Sequence, residues 1–343
     1  MAFAHASRSA AGAVESAMSK EWHWHPDLPI PVSPVFAWPP RPLAALAWLG
    51  GHWVTLSMLL LEFALAWAVY ALLHPDPETM KTLAVGWVAQ IYARNLALMV
   101  LIAGGLHLYL YRVRGQNRKL KFDARDLATD NKRFTWRDQV LDNIFWSCAS
   151  GVTLWTAYEV LYFWGAANGY APLLTWSDNP VWFVLWFVLL QIWAAFHFYW
   201  IHRALHWPPL YRLAHALHHR NINVGPWSGL SMHPIEHVIY LSSILIHFIV
   251  PSHPVHVLFH LYNLTLNPAA THSGFGGLVV KDKKRIALGD FFHQLHHRYF
   301  ECNYGTAEMP LDKWFGTFHD GTPEARRRIR QRMASRHAEQ PAE

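Results

Sequence analysis

Long apolar stretches alternate with short polar ones along most of this 343-residue chain. Four stretches reach the roughly 20 apolar residues that cross a bilayer: about Leu43 to Leu73, Leu83 to Tyr111, Val140 to Ala167, and Val181 to Trp200. Each predicts a helix, because only helices and closed barrels satisfy the backbone inside lipid. Glu62, Arg94 and Glu159 interrupt the apolar pattern, and ionisable groups at such positions are functional candidates or pairing partners. A fifth apolar stretch, Val238 to Leu266, is broken by Pro251 and Pro254. Proline ends or kinks helices, so this stretch predicts a helical hairpin that dips into or through the bilayer and returns to the side it left. Residues 1–42 are rich in Ala, Ser and Pro and predict a flexible or extended arm along the membrane. They lack the basic start, apolar core and cleavage site of a signal peptide.

Composition agrees with a membrane protein. Hydrophobic residues make up 52%, aromatics 15% and charged residues only 15%, while mean hydropathy is just +0.06, so the apolar spans must alternate with a sizeable polar part. Cys148 and Cys302 lie in unlike surroundings and do not form a disulfide framework. The net charge of +6 reports orientation rather than nucleic-acid binding. The 112–138 loop holds nine Lys and Arg, the 74–82 and 168–180 connections share one, Lys81, and the tail around Arg326–Arg332 is strongly basic. The positive-inside rule puts the 112–138 loop and both termini in the cytoplasm. Counting spans forward then delivers His202 to that face.

The candidate chemistry is histidine. Sixteen of the 24 histidines fall between His197 and His297. They include His202-Arg-Ala-Leu-His206, His215-Ala-Leu-His218-His219 and His293-Gln-Leu-His296-His297. Residues three and four apart share a helix face, and imidazole suits zinc, iron, copper and nickel. Eight such ligands exceed one ion and suffice for two. Sites with open positions imply catalysis, with oxygen activation by iron the best fit. The Glu and Glu-x-x-His pattern of a ferritin-like centre is missing, as is HExxH. His233, Glu236 and His237 are further candidates as ligands or as partners that orient a ligand, with Pro234 setting a helix start. His247, His253, His256 and His260 fall in the hairpin and receive no metal role. Two other classes fit the pattern less well. A non-catalytic metal-binding or transport protein would need ligands inside the bilayer, and a bis-histidine haem protein could use His52 and His107 but leaves the boxes unexplained.

These boxes on a multi-span chain resemble the fatty acid hydroxylase/sterol desaturase superfamily. So do Phe198-Tyr199 before His202-Arg203, the HP-x-E string at 233–236, the run His296 to Gly305 containing Asn303-Tyr304-Gly305, and Leu311-Asp312-Lys-Trp-Phe315-Gly316-Thr317. The resemblance covers roughly residues 135–320. It implies an all-α, multi-span membrane protein whose cytoplasmic, histidine-rich helical cap holds a dimetal site. The domains would be an arm (1–42), two spans with a basic loop (43–138), a catalytic domain (139–320) and a basic tail (321–343). It further implies that His202, His206, His215, His218, His219, His272, His293, His296 and His297 hold two iron ions, with His233 and His237 the remaining candidates. The reaction would be oxidation of an unactivated lipid C–H bond by O2, to an alcohol or an alkene, at the cytoplasmic face of a bacterial inner membrane or the endoplasmic reticulum. Electrons would come from a ferredoxin or a cytochrome b5-like protein with its reductase. The NYG and HP-x-E strings lean toward a sterol-like substrate.

Overall fold

In the computed structural model, residues 22–338 are described, His52 excepted. His52, and with it one half of the haem alternative, lies outside them, as do the first 21 residues of the arm and the last five of the tail.

The chain is mostly helical, and its longest helices follow its longest apolar runs. α1 is Pro42–Gly51 and α2 is Trp53–Leu73. α3 runs Val85–Arg112, with π-type turns at Val100–Gly104 and Leu108–Arg112. α4 covers residues 139–167 and is likewise interrupted by a π-type segment at Ser147–Val152. α5 is the uninterrupted Pro180–Leu205, started by the Asn179 cap and Pro180. Among the described residues α3 and α5 are long and apolar enough to cross a membrane. α2, at the first expected position, is 21 residues long and apolar along most of its sequence, whereas Ser, Thr and Glu159 dilute the apolar pattern of α4.

The 238–266 stretch is a helical hairpin. α6 (Pro234–Leu241) continues as a tighter 3-10 segment to Phe248, and α7 (Pro254–Thr265) returns. The bend at 251–253 meets the 168–180 connection: Ser252 N–H donates to Pro172 O (3.2 Å) and Leu174 N–H to Ser252 O (3.2 Å). That connection joins the ends of α4 and α5 farthest from His202, so the hairpin runs the full length of the bundle. One apolar core unites α2, α3, α4, α5 and the hairpin. The three interrupting charges are buried in it and partnered. Arg94 pairs with Glu159, Asn95 Nδ2 donates to Glu159 Oε2 (3.0 Å), and Asn263 Nδ2 donates to Glu62 Oε2 (3.2 Å). Partners of this kind lower the cost of placing such groups among apolar side chains, while Glu62 Oε1 and Arg94 Nη1 remain without one.

Two features differ from the sequence expectations, and a third adds to them. A two-stranded antiparallel hairpin, β1 (Gly277–Val280) and β2 (Lys283–Ala287), interrupts the helices between His272 and the third box, so the fold is mostly rather than purely helical. Residues 22–30 do not trail along the bundle but strap the histidine-bearing end. Trp22 is buried against Phe291 (4.9 Å between rings) with the Arg298 guanidinium over it (4.1 Å), His23 N–H donates to Phe122 O (2.8 Å), and Ile30 N–H to Asp320 O (2.8 Å). The basic tail, in turn, is helical: α9 (Pro323–Ala338) buries Ala325 and Ile329 against the same end, and Arg332 donates to the carbonyls of Gly316 and Glu301.

Candidate metal centre

The three boxes sit on three different kinds of backbone. His202 and His206 close α5, one turn apart. Its apolar pattern carries this helix straight from the bundle into the site. The third box lies on a regular helix, α8 (Phe291–Tyr299), capped by Asp290, whose carboxylate accepts from Phe292 N–H (2.9 Å). Burial pushes the Asp290 carboxyl up to about 7. The middle box is not α-helical. It spans the end of a π-type turn (Tyr211–His215) and a 3-10 turn (His218–Arg220). His272 follows the short helix Asn267–Thr271. The 226–230 turn presses on that helix so closely that a Cβ on Gly229 would stand 2.2 Å from the Pro268 carbonyl oxygen, so glycine is required there.

The nine histidines form two clusters. His202, His206, His215, His219 and His296 make one, and His218, His272, His293 and His297 the other; within each, the ligand atoms lie within 4.8 Å of one another. All nine are buried except His206, which is half-buried. Both HxxHH boxes divide between the clusters. The i and i+4 histidines stay together (215 with 219, 293 with 297), and the i+3 residue crosses to the other cluster (218, 296). The sequence expectation had all three imidazoles of a box pointing the same way. The split arises because two boxes face each other across adjacent clusters, with His218 against His297 (4.6 Å between rings) and His219 against His296 (4.7 Å).

The donor atoms fit cations. In the five-histidine cluster, Nε2 of His206, His219 and His296 form a triangle of 3.0–3.2 Å sides, and His215 Nε2 lies 3.2 Å from His206 Nε2. His272, His293 and His297 form a second triangle of 3.1–3.2 Å. An imidazole nitrogen either donates or accepts, so a triangle of them cannot be satisfied by protons alone. A metal about 2.1 Å from each nitrogen would see such a triangle at angles of roughly 90–100°, which are ordinary ligand–metal–ligand angles.

The far side of several rings is anchored so that Nε2 keeps its lone pair. His202 Nδ1–H donates to Tyr304 O (2.6 Å), His296 Nδ1–H to Cys302 O (2.6 Å), His272 Nδ1–H to Pro268 O (3.0 Å), and His215 Nδ1–H to Glu236 Oε1 (2.7 Å). Such partners fix the tautomer of a ligating histidine. Burial disfavours the imidazolium form. It drives His215 down to about 3 and His218 to about 4, and holds His219, His272, His293, His296 and His297 well below the usual histidine range, as neighbouring histidines add repulsion. The same burial pushes Glu236 up to about 7. The His215–Glu236 contact is therefore a hydrogen bond from a neutral ring rather than an ion pair.

His233 and His237 are in neither cluster. His233 caps α6, its Nδ1 accepting from Ile235 N–H (3.3 Å), and His237 is buried with its Nδ1 2.8 Å from Ser150 Oγ. Glu236, between them, is the residue of that string that reaches the site. The Asn303-Tyr304-Gly305 turn is a latch under the five-histidine cluster. The Asp312 carboxylate accepts from Tyr304 N–H (2.9 Å), Gly305 N–H (2.7 Å) and the Thr317 hydroxyl (2.5 Å), while Asn303 Nδ2 donates to Phe292 O and His319 O, both at 3.0 Å. Asp312 stands in the Leu311–Thr317 string that carries the resemblance, without a role assigned to it there, and Cys302 O had no distinguishing spacing in the sequence.

The fatty acid hydroxylase family model matches residues 187–317, a span that contains every residue of both clusters. The curated relatives include a Delta(7)-sterol 5(6)-desaturase of Gibberella zeae, 28% identical over 48% of this chain and 51% of that protein. A Delta(7)-sterol-C5(6)-desaturase of Nicotiana tabacum is 27% identical over 46% of this chain and 59% of that protein. The Delta(7)-sterol 5(6)-desaturase of Saccharomyces cerevisiae is 31% identical over 35% and 32%. The chain spans about half the length of the curated relatives it matches. No solved structure matches it. Residues 187–317 thus match the fatty acid hydroxylase family, and the chain is similar to these sterol desaturases over that region.

Proposed function

We propose that this protein is a membrane-embedded lipid oxidase that uses two iron ions and O2 to hydroxylate or desaturate an unactivated C–H position of a sterol-like lipid. The observation that carries the proposal is the pair of neutral, convergent histidine clusters. The similarity to sterol desaturases supports the substrate class, since their printed names specify a sterol 5(6) position. When bound, two irons would supply O2 reduction and hydrogen removal from carbon. Hydroxylation consumes one O2, two electrons and two protons and releases one water; desaturation consumes the same and releases two. Neither cluster can supply those electrons repeatedly, so a separate electron-transfer protein, a ferredoxin or a cytochrome b5-like protein with its reductase, completes the system.

The chain's own residues do the positioning. His202, His206, His215, His219 and His296 would hold one ion, and His218, His272, His293 and His297 the other. Glu236, Tyr304 O, Cys302 O and Pro268 O aim their rings. In this reading α2, α3, α4 and α5 lie in the bilayer, the hairpin crosses it and returns, and the clusters sit at the cytoplasmic ends. A lipid then reaches the clusters along α5, past Phe198, whose ring stacks on His202 (4.8 Å). Burial keeps bulk water from most of the site, with half-buried His206 its outer edge.

The test is reconstitution in lipid with iron, reductant, O2 and a sterol, read by mass spectrometry of the product, alongside lipid profiles of a deletion strain and its parent. An O2-dependent loss of two hydrogens or gain of one oxygen is expected. Full activity after replacement of both His218 and His296 would overturn the reading.

A further inference from the structure

Where α3 leaves the bundle, the structure holds a cavity of about 340 Å3 that no cluster histidine lines. Its floor is apolar and comes from buried Leu110 and Phe275. Its rim is cationic: Arg114, Arg118 and Lys121 line it, against one carboxylate, Asp126. Asp126 does little to cancel them, since it stands 3.9 Å from Arg118 with both side chains more than half exposed. The Arg114 side chain has no hydrogen-bond or ion-pair partner among the described residues. Lys121 is held in place, its Nζ donating to the carbonyls of Asp123 and Arg125 (the latter at 2.6 Å). Burial pulls Lys121 down to about 8 against the opposing pull of Asp123 and Asp126, so it still carries its charge at neutral pH. An apolar floor under a cationic rim, at the end of a membrane-length helix, is the arrangement that receives an acyl chain and a phosphate together.

We propose that this pocket binds the phosphate headgroup of an anionic membrane phospholipid, with Arg114 and Arg118 on the phosphate and the first part of an acyl chain over Leu110 and Phe275. The proposal rests on the membrane orientation given above but not on the metal centre. The bound lipid would brace the joint between α3 and the 113–126 loop. That loop is itself tied to the cap, because Tyr111 OH donates to Ser273 O (2.8 Å), one residue after His272, and Phe122 N–H donates to Gly274 O (2.9 Å).

The experiment is native mass spectrometry of the full-length protein, purified in detergent and titrated with phosphatidylglycerol or phosphatidylcholine, beside a doubly substituted R114Q/R118Q protein. Both arginines are exposed, so the variant should fold, and its thermal midpoint in lipid-free detergent checks this. The wild type should retain phosphatidylglycerol at least tenfold more tightly than phosphatidylcholine, and the variant should lose that preference, since each cation near a surface adds about fivefold. Equal retention of the two lipids, or an unchanged preference in the variant, overturns the proposal. Displacement of the lipid by millimolar inorganic phosphate would mark a soluble-phosphate site and overturn the lipid source. Flotation of the protein with vesicles tests the membrane reading separately, and a protein that stays in the aqueous layer would overturn that reading first.

Discussion

Two regions of this molecule bury histidines among apolar side chains, and they treat them in opposite ways. In the hairpin each ring finds an ordinary partner. His247 Nδ1 meets Ser252 Oγ (2.7 Å), His247 Nε2 meets His260 Nδ1 (3.1 Å), and His260 Nε2 meets Ser243 Oγ (3.1 Å). His256 Nε2–H donates to Phe183 O (2.8 Å), while its Nδ1 accepts from His253 N–H (2.9 Å). Donors alternate with acceptors, and protons satisfy the whole chain. In the cap the rings turn their Nε2 atoms on one another in triangles, and His296 and His272 are anchored from behind through Nδ1–H. Burial of histidine is common to both regions. What separates them is whether the inward-facing atoms complement each other or compete, and only competition calls for a cation.

That contrast breaks most sharply at His296, whose Nε2 belongs to a triangle and whose Nδ1 is tied to Cys302 O. His296→Ala should remove at least a hundredfold of lipid oxidation and lower bound metal in inductively coupled plasma measurements, with insertion into membranes unchanged. Wild-type metal content and activity in that variant would mean that the triangles are not ligand sets.

The anchoring groups sharpen the contrast at smaller cost. Glu236→Gln keeps the shape but replaces a carboxylate that accepts from His215. A loss of ten- to a hundredfold in metal affinity or turnover is expected, read by metal competition with a chelator of known affinity. Asp312→Asn turns an amide NH2 toward backbone N–H groups it cannot accept from, leaving the latch under Tyr304 short of a bond. The cost should be about 1–3 kcal/mol of stability, seen as a lower thermal midpoint, with a milder weakening of metal at the five-histidine cluster.

Sequence spacing told which residues converge, because i, i+4 separation fixes a shared helix face whatever the rest of the fold does. It misled on the i+3 residues, since His218 and His296 reach across only when a second box stands opposite, and the middle box reaches its geometry through π-type and 3-10 turns that spacing does not reveal. The hairpin was legible for a different reason: Pro251 and Pro254 stop helices by local sterics alone. His272 had no periodic partner, and the Trp22 strap acts through contacts between distant parts of the chain, which leave no local signature; the Asp312 and Cys302 contacts are local, five to eight residues apart, but irregular turns give them no period to read. The pairing of Arg94 with Glu159 was equally invisible, although each charge stood out alone.

The smallest effect on metal is expected in the hairpin, and it is the one that tests the contrast from the other side. His256 is fully buried, packs against Phe187 (4.2 Å between tilted rings), and uses both nitrogens in hydrogen bonds to backbone groups. His256→Ala orphans the His253 N–H, removes the second donor to Phe183 O, which keeps its helical partner, and leaves a cavity beside Phe187. The orphaned N–H costs about 1–3 kcal/mol and the cavity adds to it, so the thermal midpoint should fall by several degrees. Metal content should stay at the wild-type level, and turnover at temperatures well below the new midpoint should change less than about twofold, because no bond of this network reaches either cluster. His256→Gln, which can donate and accept at similar reach, should recover part of the stability. If instead His256→Ala empties the clusters while the protein remains folded, buried histidines in the hairpin are coupled to the metal centre, and the distinction between complementary and competing rings does not decide which ones matter.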